Sequence, residues 1–219
     1  MRLCIESGSH LRLARLAPAF GMTVTATRGT SVMRRDGFAR TLVPGVPCMV
    51  APFQAVDLLV AGSMAQPARC RIDIALASAT TGQLALHHEL SRRIFLQPEL
   101  PWTATFAATL LGESPDHIRR TLFAEGAAFG ELCRTQRLMR ALFESQRGRA
   151  VSALKCSLGW PPGQDLEMSF HDRFGITLDL LRQVAAVADE TPLHLEVDGN
   201  RAARAASAPT HHWAALSPA

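Results

Sequence analysis

Residues 105–130 constrain the fold more than any other stretch, because a helix stop and a helix start stand almost side by side there. Trp102, Phe106 and Leu110 recur at four-residue spacing, which sets them on one helical face, and Gly112 then supplies the permissive backbone that ends the helix. Ser114 offers a hydroxyl to the free N–H groups of a second helix. Pro115 already holds the φ of a first helical turn, and Asp116 suits the positive end of the dipole. In that second helix Ile118 and Leu122 share the inward face, so Asp116, His117, Arg119 and Arg120 point elsewhere. Two short helices joined by a tight turn form a helix-turn-helix pattern.

A second helix of this kind can set its N-terminal residues against base edges in a DNA major groove, where an arginine bonds guanine in bidentate fashion. The same residues also read as two packed helices with a solvated arginine pair.

The run Leu110-Leu111-Gly112-Glu113-Ser114-Pro115, then Ile118-Arg119-Arg120-Thr121-Leu122, Glu125-Gly126-Ala127-Ala128-Phe129, Leu132 and Arg137-Leu138-Met139-Arg140-Ala141 resembles the DNA-binding domain of the AraC/XylS family of transcription regulators. The resemblance continues through Val151 and Leu154, Gly159-Trp160, Phe170 and Phe174-Gly175-Ile176-Thr177, and covers residues 102–182. It implies two helix-turn-helix subdomains joined by a long helix over residues 126–146, reading adjacent major-groove segments. Asp116, Arg119 and Arg120 are then the base and phosphate readers, with Ser114 and His117 beside them. For Arg137 the resemblance implies a structural salt bridge as readily as a phosphate contact. Gln164 is the polar residue of the second turn kept as a DNA contact.

The second motif departs from the family pattern. Lys155 replaces a small buried alanine, Met168 stands where an arginine is common, and Leu178 replaces a proline. Its turn, Trp160-Pro161-Pro162-Gly163-Gln164, puts a glycine where it is expected to weaken the first turn of the following helix. Charge falls the same way: residues 119–155 carry eight basic side chains against three acidic ones, whereas residues 160–190 carry two against six. Phosphate attraction is therefore expected at the first motif and the linking helix.

Ahead of the motifs, residues 22–76 have a different texture. Short β-branched segments (residues 23–27, 30–34, 39–43, 48–51, 55–60 and 71–76) are punctuated by glycine and proline, the rhythm of antiparallel strands, and Asp36-Gly37 fits a hairpin turn. Residues 1–20 fit a short basic helix ending near Pro18 or a first strand. A helical period returns over residues 81–95, where Leu86, Leu90 and Ile94 form a stripe. In the family a helix at this point commonly carries dimer contacts; the stripe fits packing on the β domain equally well. Adjacent His87 and His88 have Glu89 and Arg92 as the nearby partners.

The fold class expected is thus α+β. An N-terminal small β-barrel-like, cupin-like domain for sensing or dimerisation occupies residues 1–98, an all-α domain with two helix-turn-helix motifs residues 99–190, and a mobile tail residues 191–219, where Leu193, Leu195 and Val197 alternate. With 47% hydrophobic residues in 219, two modest cores are affordable.

Five scattered cysteines without a C-x-x-C pair fit a reduced cytoplasm, and neither a signal peptide nor a membrane span is expected. No glycine-rich phosphate loop or Gly-x-Ser-x-Gly occurs, and the strands carry no His-x-His metal set, so catalytic residues, metal and cofactors are all expected to be none. The function expected is a sequence-specific DNA-binding transcription regulator and activator. Its partners would be DNA, RNA polymerase, a small-molecule effector and a second copy in a homodimer. The alternatives are an AraC-like protein that has lost DNA binding and regulates through protein contacts, and a small-molecule-binding module with a helical scaffold.

Overall fold

The computed structural model describes residues 1–76 and 84–185. The expected start of the first helix at residue 81, residues 186–190 of the helical region and the whole 191–219 segment, with Leu193, Leu195 and Val197, lie outside the described residues.

The N-terminal part is built of strands β1 (Arg2–Ser7), β2 (His10–Leu16), β3 (Met22–Arg28), β4 (Thr30–Arg35), β5 (Phe38–Leu42), β6 (Cys48–Val50), β7 (Val56–Ala61) and β8 (Ala68–Ile74). Each segment read as a strand from residue 22 onward is one. The ambiguity over residues 1–20 resolves into β1 and β2. Leu11 and Leu13 are buried with Arg12 exposed between them, the period of a strand. The three-residue step from Leu13 to Leu16 mimics a helix because the ladder slips there, and Arg15 takes a positive φ of 50° that returns Leu16 to the core. The Asp36-Gly37 turn joins β4 to β5, with φ of 49° and 84°, as a two-residue hairpin with right-handed twist requires.

These strands form two antiparallel four-stranded sheets, in the orders β1-β8-β3-β6 and β2-β7-β4-β5. The expected barrel is not closed. The sheets share no strand pairing among the described residues, and Leu3, Ile5, Met22 and Ile72 from one share an interior cluster with Leu13, Met33 and Leu58 from the other.

The helices are α1 (Leu86–Leu96), α2 (Ala104–Leu111), α3 (Pro115–Ala124), α4 (Phe129–Glu144), α5 (Val151–Ser157), α6 (Leu166–Phe174) and α7 (Leu178–Val184), with a 3₁₀ turn at Ser145–Arg147 after α4. The long helix expected from residue 126 begins at Phe129. Gly126, at φ 71°, is the break expected before it and forms the turn that returns the Ala127 N–H to the Leu122 carbonyl at 2.8 Å. Leu90 and Ile94 of α1 face the helical core of Trp102, Ala107, Ala108, Ile118, Leu122 and Cys133, and are buried within the chain.

A second cluster is continuous from the sheets into the C-terminal helices. It joins Leu13, Leu16 and Ile5 to Leu138, Leu142, Leu154, Phe170, Phe174 and Leu181. α6 lies against β2 and α7 against β1. Polar contacts pin the seam: Gln136 Nε2 donates to the Ala17 carbonyl (3.3 Å), and Arg15 Nε donates to the Arg173 carbonyl (3.1 Å). The second helix-turn-helix is therefore docked on the β domain, while the first shares its core with α1.

Candidate nucleic-acid interface

The turn between α2 and α3 is built as the residue types dictate. Gly112 ends α2 in the left-handed region at φ 71°, and Thr103 caps its start by accepting from the Phe106 N–H (3.0 Å). Ser114 caps α3, its Oγ accepting from the His117 N–H at 3.1 Å, with Pro115 in the first turn. Ile118 and Leu122 are fully buried against α2. The inward face of α2 differs from the four-residue stripe expected. Ala107 and Ala108 are buried, Phe106 is half-buried edge-on to Trp102 (centroids 5.3 Å apart), and Leu110 is 46% exposed. Small alanines let α2 and α3 approach closely, which turns Leu110 outward.

Asp116, Arg119 and Arg120 all reach solvent. Arg119 Nη1 donates to Asp116 Oδ1 (2.9 Å), with side chains 60% and 82% exposed, so the carboxylate holds the guanidinium along the helix without desolvating it. Arg120 Nε reaches the Asp116 carbonyl at 3.4 Å, which leaves its Nη donors outward. His117 lies on another flank, with Nε2 3.4 Å from Thr121 Oγ1 and 3.8 Å from Glu113 Oε2. That flank borders a cleft of about 740 Å³ between α1 and α3, walled in part by Glu89, Glu113 and Glu125. Its carboxylates repel phosphate, whereas the Arg119–Arg120 flank attracts it.

The two remaining candidates sit elsewhere. Arg137 is buried in α4, 7% exposed, and donates from Nε to the Pro98 carbonyl (3.1 Å) and from Nη2 to the Leu100 carbonyl (3.0 Å). No carboxylate is bonded to it among the described residues, so the salt bridge implied by resemblance is replaced by a clamp on the segment between α1 and α2. Burial lowers its pKa. Gln164 is exposed in the turn before α6.

That turn, residues 158–165, is longer than expected. Pro161, Pro162 and Gly163 (φ 83°) all precede α6, whose N-cap is Asp165, accepting from the Glu167 and Met168 N–H groups at 2.9 and 3.2 Å. Gly163 thus does not weaken the helix. Lys155 is half-buried rather than buried, and Leu178 is fully buried behind the Thr177 cap. The open face of α6 carries Glu167, Met168, His171 and Asp172. It is acidic and apolar where a phosphate-seeking face would be basic.

Sequence reading missed three features near this surface. Phe123 on α3 is 86% exposed; its position, well round the helix from Ile118, was a usable signal. Glu125 ends α3 and receives His87 Nδ1 at 2.8 Å, so His87 pairs with neither Glu89 nor Arg92. Phe53, at φ 65° between β6 and β7, stacks on His88 with ring centroids 3.7 Å apart. The last two contacts join residues far apart in the chain and leave no local pattern.

Two solved structures of ToxT from Vibrio cholerae align over nearly the whole molecule. One, from strain O395, has TM-score 0.63 and 10% identity, covering 85% of this chain and 98% of that one. The chain shares the fold of ToxT. The other, ToxT of strain SCE256 with an unsaturated fatty acid bound, has TM-score 0.62 and 10% identity and covers 87% of this chain and 97% of that chain. At such identity the likeness to ToxT is one of fold, and it takes in both the β domain and the helices behind it. No family model and no curated protein matches the sequence. Among the described residues no helix is long and apolar enough to cross a membrane, and no group of three His, Cys, Asp or Glu side chains is placed to hold a metal ion.

Proposed function

We propose that the chain is a sequence-specific DNA-binding transcription regulator of the AraC/XylS type, with α3 as its reading helix. The observation that carries this reading is the capped start of α3, where Asp116, Arg119 and Arg120 stand exposed on a helix whose other face is locked by Ile118 and Leu122. An N-terminal helical turn of this form enters a major groove, and a guanidinium there bonds guanine O6 and N7 together. The shared fold with ToxT and the motif resemblance support the same reading.

In this reading Arg119 and Arg120 contact bases and phosphate. Asp116 orients Arg119, and Ser114 and His117 flank the turn. Arg137 holds α4 on the segment between the β domain and α2, and Gln164 contacts the backbone beside the second turn. The acidic face of α6, or the β domain, is then presented to RNA polymerase. A small-molecule effector acts through the β domain, in keeping with the fatty acid bound in a ToxT structure.

One observation favours the second reading, regulation through protein contacts alone: the second helix-turn-helix offers Glu167, Met168 and Asp172 and is docked on the β domain. Selection of sequences from a genomic fragment pool by the purified chain, at two salt concentrations, separates the two. An enriched short motif whose affinity falls steeply with salt supports the DNA reader. Retention without enrichment, or none in the presence of cell extract, sinks it.

A further inference from the structure

Between the two helix-turn-helix units opens a cleft of about 340 Å³. Its walls include Trp102, the first half of α4 with Glu131, Arg134 and Arg137, and the second turn with Trp160 and Gln164. We propose that this cleft is a phosphate-binding site, in which the guanidinium groups of Arg134 and Arg137 and the Gln164 amide hold one phosphate group.

A buried cation without a carboxylate partner points to an anion as occupant. Arg137 is 7% exposed, and two backbone carbonyls take only part of its five N–H donors. No carboxylate lies within 4.0 Å of it among the described residues, and a buried guanidinium without counter-charge is costly. Trp160, 6% exposed, contributes its indole ring to the wall.

The rest of the wall agrees. Arg134 lies on the same stretch of α4 and donates to Ser169 Oγ at 3.1 Å, with no carboxylate paired to it among the described residues. Cys133 is neutral, its thiol pushed up to about 11 by burial. Glu131, exposed, is the wall's carboxylate and stands against the two guanidinium groups. Two guanidinium groups outnumber the one carboxylate and, with the Gln164 amide, suit an anion with several acceptor oxygens, the case in which planar forked donors are most effective.

The phosphate has two sources with the same chemistry, a free phosphate ester or the DNA backbone. The second rests on the regulator reading above and the first does not. The test uses the full chain with Trp213→Phe, so that Trp102 and Trp160 are the remaining indoles and both line the cleft. Inorganic phosphate is titrated against chloride at constant ionic strength while tryptophan emission is followed. A saturable change is expected, weakened by about tenfold or more in Arg134→Gln and in Gln164→Glu, as loss of one charge-assisted hydrogen bond implies. Both positions are exposed, and an unchanged far-UV circular dichroism spectrum establishes that each variant is folded.

In parallel, the salt dependence of DNA binding is measured for the same variants. A salt slope reduced by about one in the variants identifies a backbone phosphate as the occupant. Saturable phosphate binding with an unchanged slope identifies a free phosphate ester. A response that does not saturate, or that survives both substitutions, together with an unchanged slope, overturns the proposal. Because the first arm uses no DNA, its outcome is independent of whether α3 reads DNA.

Discussion

Glu125 and His87 lock the end of α3 onto the start of α1. The Glu125 carboxylate accepts from the Leu86 N–H (3.0 Å) and the His87 N–H (2.8 Å), and His87 Nδ1 lies 2.8 Å from the same Oε2. α1 has no side-chain cap of its own, because its N-cap is Ala85. Glu125 supplies that cap from 38 or more positions away in sequence, with its negative charge at the positive end of the α1 dipole. His87 in turn lies beside His88 (centroids 4.0 Å apart), and His88 stacks on Phe53 of the β domain. A continuous line of contacts thus runs from the sheets to the C-terminal end of α3.

Removing this cap should destabilise the fold. Glu125→Ala is expected to cost about 1–2 kcal/mol, in line with loss of a helix cap, and Glu125→Gln less because one oxygen acceptor survives. Urea unfolding of the three proteins measures the order, and equal stability of all three would show that the cap contributes nothing.

The pH dependence follows from two groups. Burial raises the Glu125 pKa, but the His87 N–H and imidazole, the Leu86 N–H and the His87 charge outweigh it and hold the carboxyl below its ordinary value of 4.5. A depressed folded pKa means that the stabilisation is complete above the ordinary value and is lost as pH falls through the folded one. His88 is also depressed from its ordinary 6.5, first by burial and then by the neighbouring His87 charge. Its neutral form fits the Phe53 stack, so stability declines first as pH drops below the ordinary histidine range and again in the carboxylate range. His88→Phe should flatten the first decline in thermal unfolding midpoints recorded against pH, and Glu125→Gln should flatten the second.

Gly159→Ala probes the seating of the second turn. Gly159 has φ 55°, and a Cβ there would stand 2.8 Å from the Pro98 carbonyl oxygen and 2.9 Å from that of Glu99. Arg137 bonds the Pro98 carbonyl and the Leu100 carbonyl on the far side of Glu99, so neither contact can give way cheaply. Backbone strain and collision together predict a loss of about 2–4 kcal/mol. A midpoint close to the parent's would show that the segment at residues 98–99 moves freely.

Arg119→Ala with Arg120→Ala separates function from stability. Both side chains are exposed, so unfolding free energy should change by about 0.5 kcal/mol or less. Affinity for the selected DNA should fall by about 1–3 kcal/mol for each arginine that reads a guanine, with relaxed preference at that base. Unchanged promoter output in the double variant would count against α3 as the reader.

The α2–α3 turn was legible because its determinants are local. Gly112, Ser114 and Pro115 act on their own backbone, and Ile118 and Leu122 declare the buried face by spacing alone. The strands from residue 22 onward, and the Asp36-Gly37 hairpin, were legible for the same reason. β2 was not, because a bulge at Arg15 gave its leucines a helical spacing.

By itself the sequence determined the strands from residue 22 onward, where α2 stops and α3 starts, and that two arginines stand on the open side of α3. Such features depend on backbone preference and periodicity over a few residues. Only the tertiary structure decided that the sheets face each other without closing and that α6 and α7 seat on β1 and β2. It alone also made Arg137 clamp the segment before α2, and let Glu125 cap a helix 38 or more positions away. Those outcomes depend on which buried surfaces and unpaired donors meet in space, and no local stretch of residues encodes that meeting.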